Sequence, residues 1–253
     1  YLYDVASKLK HLGYDINTEE LDKIESVTKA HIALNIISNK KNKELLTFLR
    51  KIESNEILTS QLFLMGDMID FISGESRYFV QQNSEVINLL NKLSNEIEII
   101  YLEGNHDYNL KKLFPNIQVI KRENQPLLTK FQEKTVALSH GDNFINWKYA
   151  LYCKFIRNTI FLRFMNFIDI NYFISKKIEN VLLSKNICHK MNNFEHIVKR
   201  RLENYNTDIV IEGHYHQGVE YVFDKKEYIN IPSLCCQKKY MRISKSGFYG
   251  EEI

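Results

Sequence analysis

Four short apolar runs, each broken off by glycine beside aspartate, asparagine or histidine, constrain this chain more than any other feature. They read SQLFLMGD (60–67), IEIIYLEGNHD (97–107), KTVALSHGD (134–142) and TDIVIEGHYH (207–216). Such a run, too short for a helix and bounded by turn residues, is the pattern of a buried strand in a parallel sheet. In open α/β sheets the ligand crevice lies outside the carboxyl ends of the strands, so four loops of this kind converge on one place. Helices fill the intervals: 40–53 sets Leu45, Leu46, Leu49 and Ile52 on one face, and 83–93 is helical as well.

The chain has 253 residues with only three prolines and nine glycines, which predicts one α/β domain carrying an insertion and no flexible linker. Residues 1–30 read as amphipathic helix, turn and helix, with an N-cap signal at Asn17 or Thr18. Cysteines at 153, 188, 235 and 236 have no CxxC spacing and are too few for a stapled secreted fold, so reduced thiols in a cytoplasmic protein are expected. The N-terminus has no basic-then-apolar signal pattern, no run is apolar enough to span a bilayer, and an opening Tyr1 in place of Met suits a piece of a longer protein. The net charge of +3 conceals an asymmetry: 147–204 holds eleven Lys or Arg against four acids, a net +7, leaving −4 for the rest.

Asp67, Asn105, His140, His214 and His216 offer oxygen and imidazole donors, a set suited to Mn, Fe, Zn or Mg and not to a thiolate site. Singly each is ordinary, a strand-end cap or a satisfied histidine. Four such loops in one chain make a site. A paired-metal site of this kind can lower the pKa of a bound water and hold a phosphate for in-line attack.

In this order GDMID, GNHD, SHGD and GHYH resemble the calcineurin-like metallophosphoesterases, over roughly residues 45–240. The resemblance implies an α/β fold, a β-sandwich flanked by helices with a dinuclear site at the sheet ends. It implies that Asp67 bridges two divalent metals, with manganese the expected ion. Asn105, His140 and His214 would complete one shell and His216 would belong to the other. His106 would face the substrate phosphate, Asp107 would orient His106, and Asp70 and Asp142 would fix loops.

One motif departs. Upstream of residue 40 the family has D-x-H, whereas this chain reads HIALNIIS; if Ile32 to Leu34 is the first strand, Asn35 takes the place of the Asp and Ile37 that of the His, with His31 nearby. Asn35 is then a weak ligand at best. The departure predicts one firm and one weak metal, unless the N-terminal region is altered or displaced.

Between His140 and His214 lie 73 residues, more than a connection between strands needs. Trp147 to Met165 and the stretch from Tyr172 onward read as helical, giving a cap at 147–204 on a core of 31–146 and 205–253. Its plain reading is a helical hairpin packed on the core. Its sharper reading is an acyl groove with basic residues, Arg157 and Arg163 among them, for phosphates or an anionic membrane surface. In this interval the cap resembles that of the UDP-diacylglucosamine diphosphatases of lipid A synthesis, peripheral enzymes of the inner membrane that split a lipid-linked nucleotide sugar into lipid sugar phosphate and UMP. The alternatives are a phosphodiesterase or phosphatase on soluble nucleotides, and a catalytically impaired binding or scaffold member without D-x-H. Nucleic acid is not expected, because the aromatics lie among aliphatics at helical spacing.

Overall fold

A computed structural model describes residues 31–34, 42–185 and 187–253. The helices expected within residues 1–30, and Asn35 and Ile37, lie outside the described residues.

The first apolar strands pair in parallel. β1 (His31–Leu34), β2 (Gln61–Leu64), β4 (Glu98–Leu102) and β6 (Gln118–Ile120) stand side by side, with Ala33 opposite Phe63 and Phe63 opposite Ile100. Beyond β1 the antiparallel strands β12 (Lys239–Ser244) and β13 (Gly247–Glu252) complete a sheet of order β13-β12-β1-β2-β4-β6. A second sheet runs β10-β11-β9-β8-β7. Its parallel centre is β8 (Lys134–Ser139), β9 (Ile209–Glu212) and β11 (Lys226–Asn230), and its antiparallel edges are β7 (Leu127–Phe131) and β10 (Val219–Phe223). A two-stranded pair, β3 (Ile72–Ser73) with β5 (Asp107–Tyr108), lies beside the loops.

Side chains alternate across a strand, so a sheet covered on both faces needs apolar residues at every position. Leu62, Leu64, Ile99 and Tyr101 face outward onto α1 (Lys43–Glu53) and α3 (Ser84–Leu93), meeting Leu45, Leu49 and Leu90. Phe63, Ile100 and Leu102 face inward and meet Val136, Leu138, Ile209 and Ile211 of the second sheet. The outer face of that sheet, with Ala137, Val210 and Tyr228, is covered by Phe194, Val198 and Leu202 of α7 (Phe194–Leu202). The layers are helix, sheet, sheet, helix, as the motif resemblance implies.

α2 (Arg77–Gln82) precedes α3, and the long interval after β8 holds α4 (Trp147–Ile156), α5 (Thr159–Ile168) and α6 (Phe173–Leu183). The helix expected over 147–165 is therefore two helices. Arg157 ends the first, and the Asn158 side chain caps the second by accepting from the Phe161 amide at 3.0 Å. α7 falls within the interval assigned to the cap but packs on the second sheet, so the helices that stand off the core are α4 to α6. Among the described residues no helix is long and apolar enough to cross a membrane.

Cys188 and Cys236 form a disulfide, with Cα atoms 5.4 Å apart. This corrects the expectation of four reduced thiols: spacing in sequence carries no information about two cysteines 48 residues apart that the fold brings together. Cys153 and Cys235 are free.

Candidate metal centre

The loop after β2 turns sharply, with Gly66 at φ 84° and Asp67 at φ 53°. Glycine is required at 66 because a Cβ there would lie 2.4 Å from His140 Nδ1, and at Gly104 because a Cβ would lie 2.2 Å from Asp67 Oδ1. These two glycines let the loops after β2, β4 and β8 close on one another.

His140, fully buried, carries the centre. Its Nδ1 lies 2.9 Å from the Met65 carbonyl oxygen, which can only accept, so Nδ1 bears a proton and donates. Nε2 then faces Asn105 Oδ1 at 3.2 Å, His214 Nδ1 at 3.2 Å and Asp67 Oδ2 at 3.3 Å. Four lone-pair donors around one point demand a cation. Without a metal a proton takes that role: burial alone would lower the His140 pKa, but the Asp67 carboxylate more than offsets it and pushes it up to about 9. Burial and then the neighbouring His140 hold His214 down to about 3, and burial, which would raise Asp67, is outweighed by His140 and His106, so Asp67 stays ionised. The ligand atoms of Asp67, His140 and His214 all lie within 4.8 Å of one another. The donor set fits a divalent metal with one carboxylate, one amide oxygen and two imidazoles.

His216 stands outside that group of three. It is 5% exposed with φ 54°, its Nδ1 is 3.4 Å from the Ile187 carbonyl oxygen, and its Nε2 is buried without a protein partner. An orphaned buried nitrogen of this kind suits a second cation. His31 opens β1 opposite Gln61, at the far end of the sheet from Asp67, and is no ligand to this centre.

His106 donates its backbone N–H to Asp67 Oδ1 at 2.8 Å, and its Nδ1 lies 2.5 Å from the Asp70 carbonyl oxygen. That carbonyl, not Asp107, orients the ring. Asp107 is fully buried with both oxygens taken: Oδ1 accepts from the amides of Asp67 (2.9 Å) and Gly104 (2.6 Å), Oδ2 from the Met68 amide (2.9 Å) and the Tyr101 hydroxyl (2.6 Å). Asp107 locks the two loops together, because unpaired amides at a strand end need an acceptor and the carboxylate supplies two. Burial and the Asp67 charge raise its pKa. Asp142 does fix its loop: Arg122 donates from Nε to Asp142 Oδ2 at 2.6 Å and from Nη2 to the Asp142 carbonyl at 3.0 Å.

Sequence reasoning missed three supports. Gln125 accepts the His140 amide at 2.7 Å, Asn230 donates to the carbonyls of Glu212 (2.9 Å) and Gly213 (2.8 Å) while accepting the Gln217 amide (2.7 Å), and Glu103 accepts the Leu110 amide at 3.0 Å. Asn230 alone left a signal, a polar residue in the apolar YINI run.

Arg157 and Arg163 have protein partners. Arg157, at the break between α4 and α5, places Nη1 3.6 Å from Glu103, donates to the Gly104 carbonyl and lies over the Tyr108 ring at 5.2 Å. Arg163 pairs with Glu75 at 3.2 Å. Between cap and core lies a cavity of about 470 Å³ that opens on Asn105 and His106 and is lined by apolar residues including Phe71, Phe79, Phe161, Leu162, Met165 and Ile178.

The family model for calcineurin-like phosphoesterases matches residues 31–218. Two relatives, each described as a UDP-2,3-diacylglucosamine hydrolase, are similar to this chain. That of Wigglesworthia glossinidia brevipalpis is 23% identical over 189 residues, covering 70% of this chain and 74% of the relative. That of Blochmanniella pennsylvanica is 27% identical over 210 residues, covering 76% and 81%. Among solved structures, an archaeal phosphodiesterase aligns with a TM-score of 0.47 and 11% identity over 88% of this chain and 99% of its own. With more than half of its length matched by the family model, the chain belongs to the calcineurin-like phosphoesterases, a family of metal-dependent hydrolases.

Proposed function

We propose that this protein hydrolyses the diphosphate of a lipid-linked UDP-sugar of the UDP-diacylglucosamine type, releasing an acylated sugar phosphate and UMP. The observation that carries this reading is the cavity of about 470 Å³, mostly apolar, whose polar end is Asn105 and His106. A soluble nucleotide has no use for such a wall, whereas an acyl chain buried there gains about 0.8 kcal/mol per CH₂.

In this reading Asp67, Asn105, His140 and His214 hold one divalent metal, manganese by resemblance, and Asp67 and His216 contribute to a second, weaker site. Metals so held would supply Lewis acidity toward the phosphate and lower the pKa of a water. With Nδ1 of His106 given to the Asp70 carbonyl, its Nε2 is the atom left to face the phosphate and to protonate the departing oxygen. Arg157 and Arg163, proposed to meet substrate phosphate, would do so only by sharing their carboxylate partners.

The exposed apolar face of the cap supports work at the cytoplasmic surface of the inner membrane. Ile160, Phe167 and Phe173 are 78%, 80% and 72% exposed, with Lys176 and Lys177 close in sequence. The test is manganese content per chain together with hydrolysis of UDP-2,3-diacylglucosamine and of a soluble phosphodiester. Turnover of the lipid-linked substrate that His140→Ala abolishes supports the reading. Bound metal with turnover of the soluble ester alone favours the nucleotide enzyme, and neither metal nor turnover favours a binding protein.

A further inference from the structure

The disulfide lies where two segments grip the same pair of residues. Cys188 follows Ile187, whose carbonyl lies 3.4 Å from His216 Nδ1. Just beyond it the His189 carbonyl accepts from Gln217 Nε2 at 3.0 Å, the Met191 amide donates to Gln217 Oε1 at 2.9 Å, and Lys190 Nζ donates to the Gln217 carbonyl at 2.6 Å. From the other side Cys236 belongs to the short helix α8 (Leu234–Gln237), whose Gln237 Nε2 donates to the carbonyls of His216 and Gln217, both at 3.2 Å. The sulfurs thus join the two arms that hold His216 and Gln217. Cys188 is exposed and open to attack, while the free Cys235 packs against the first sheet's outer core.

We infer that Cys188 and Cys236 are a reversible redox centre that clamps the segment returning from the cap onto the His216 loop, and that a protein dithiol reductant opens it. A thiolate of the reductant attacks Cys188 Sγ, the Cys188–Cys236 bond breaks, and Cys236 leaves as a thiolate that takes a proton. The reductant's second thiol then displaces Cys188 from the mixed disulfide, so two electrons and two protons pass from the dithiol to the pair and the reductant ends as a disulfide. Once opened, the arm carrying Ile187 keeps its hydrogen bonds to His216 and Gln217 but loses its covalent link to α8. The orientation of the ring then loosens. The consequence for metal binding rests on the proposed role of His216, but the clamp itself does not.

The test uses the full chain, freed of metal, in oxidised and dithiol-reduced forms. Alkylation read by mass spectrometry counts the accessible thiols, amide exchange follows 187–191 and 214–218, and titration with Mn²⁺ alone reads metal affinity. The expected result is two further labels after reduction, exchange in both segments faster by about tenfold, and Mn²⁺ binding weakened by about tenfold. In amide exchange and Mn²⁺ affinity Cys188→Ser should match the reduced form under both conditions, with Cys236 alone of the pair labelled, and in both readouts Cys235→Ser should behave as the parent. Labelling of Cys188 and Cys236 in the oxidant-treated chain, or exchange unmoved by reduction, overturns the clamp. A change in exchange with no Mn²⁺ bound in either form supports the clamp and sinks the metal assignment instead, so the two failures are told apart.

Discussion

Glu103, next to the glycine that makes room for Asp67, is a buried carboxyl. Burial pushes its pKa from 4.5 up to about 7, opposed by the Leu110 amide and Arg157. A carboxyl whose folded pKa is raised binds its proton more tightly in the native state, so the contribution of Glu103 to stability is greatest below about pH 4.5, falls as pH rises toward 7 and levels above. Shifts of this size correspond to at most about 3 kcal/mol. In urea unfolding of the metal-free protein the buried His214, whose pKa is lowered, acts in the opposite sense over much of this range. The measurement is therefore the difference between the parent and Glu103→Gln, which keeps an acceptor for Leu110: the parent's stability relative to the variant should fall from pH 4.5 to 7. Asp70, raised to about 7 mainly by burial, titrates in both proteins and cancels from the difference. If the variant has the parent's slope, Glu103 is not the titrating group. Gly104 gives a second test at this scale. A methyl group there would meet Asp67 Oδ1 at 2.2 Å and the Asp67 amide at 2.6 Å, so Gly104→Ala should weaken manganese binding at least about tenfold in a calorimetric titration.

Among the elements, the cap helices divide their residues between anchoring and exposure. α4 and α5 are tied to the core at their junction: the Tyr108 hydroxyl donates to the Ile156 carbonyl at 3.2 Å and Asn109 to that of Arg157 at 2.9 Å. α6 is tied through Glu179, which accepts from the Tyr78 hydroxyl at 2.7 Å. The outer faces are left apolar, with Ile160 and Phe167 more than three-quarters exposed. Replacing Ile160 and Phe167 together by Asp should lower binding to anionic vesicles by about tenfold or more in a sedimentation assay. Hydrolysis of a soluble phosphodiester should not change. Equal vesicle binding by parent and variant would remove this face from consideration as the membrane surface.

At the scale of the whole molecule, one buried ion pair joins a helix layer, the second sheet and the loop that follows His140. Arg201 of α7 is bidentate to Glu212 of β9, both contacts at 2.6 Å, and its third nitrogen reaches the Asn143 carbonyl at 2.9 Å in the loop that follows His140. Tyr228 and Tyr205 donate to the same carboxylate. Breaking such a pair leaves an uncompensated buried charge, so Arg201→Met should cost about 3–5 kcal/mol in chemical denaturation. A loss below 1 kcal/mol would mean that the tyrosines alone satisfy Glu212.

The sequence by itself determined the strands and the loops that matter. Apolar runs at 62–65, 99–102, 136–138 and 209–211 could satisfy their burial only as central strands, and the turn residues after them had to gather at one end. That logic brings Asp67, Asn105, His140 and His214 together, as the fold does, because period and punctuation are local properties. Only the tertiary structure decided the rest. Which carbonyl fixes the His140 tautomer, that Asp107 binds amides instead of the His106 ring, that Glu212 finds Arg201, and that Cys188 meets Cys236 all depend on contacts between segments distant in sequence. A side chain's role in such a contact is set by what the fold places opposite it. The residue and its neighbours along the chain carry no record of that partner.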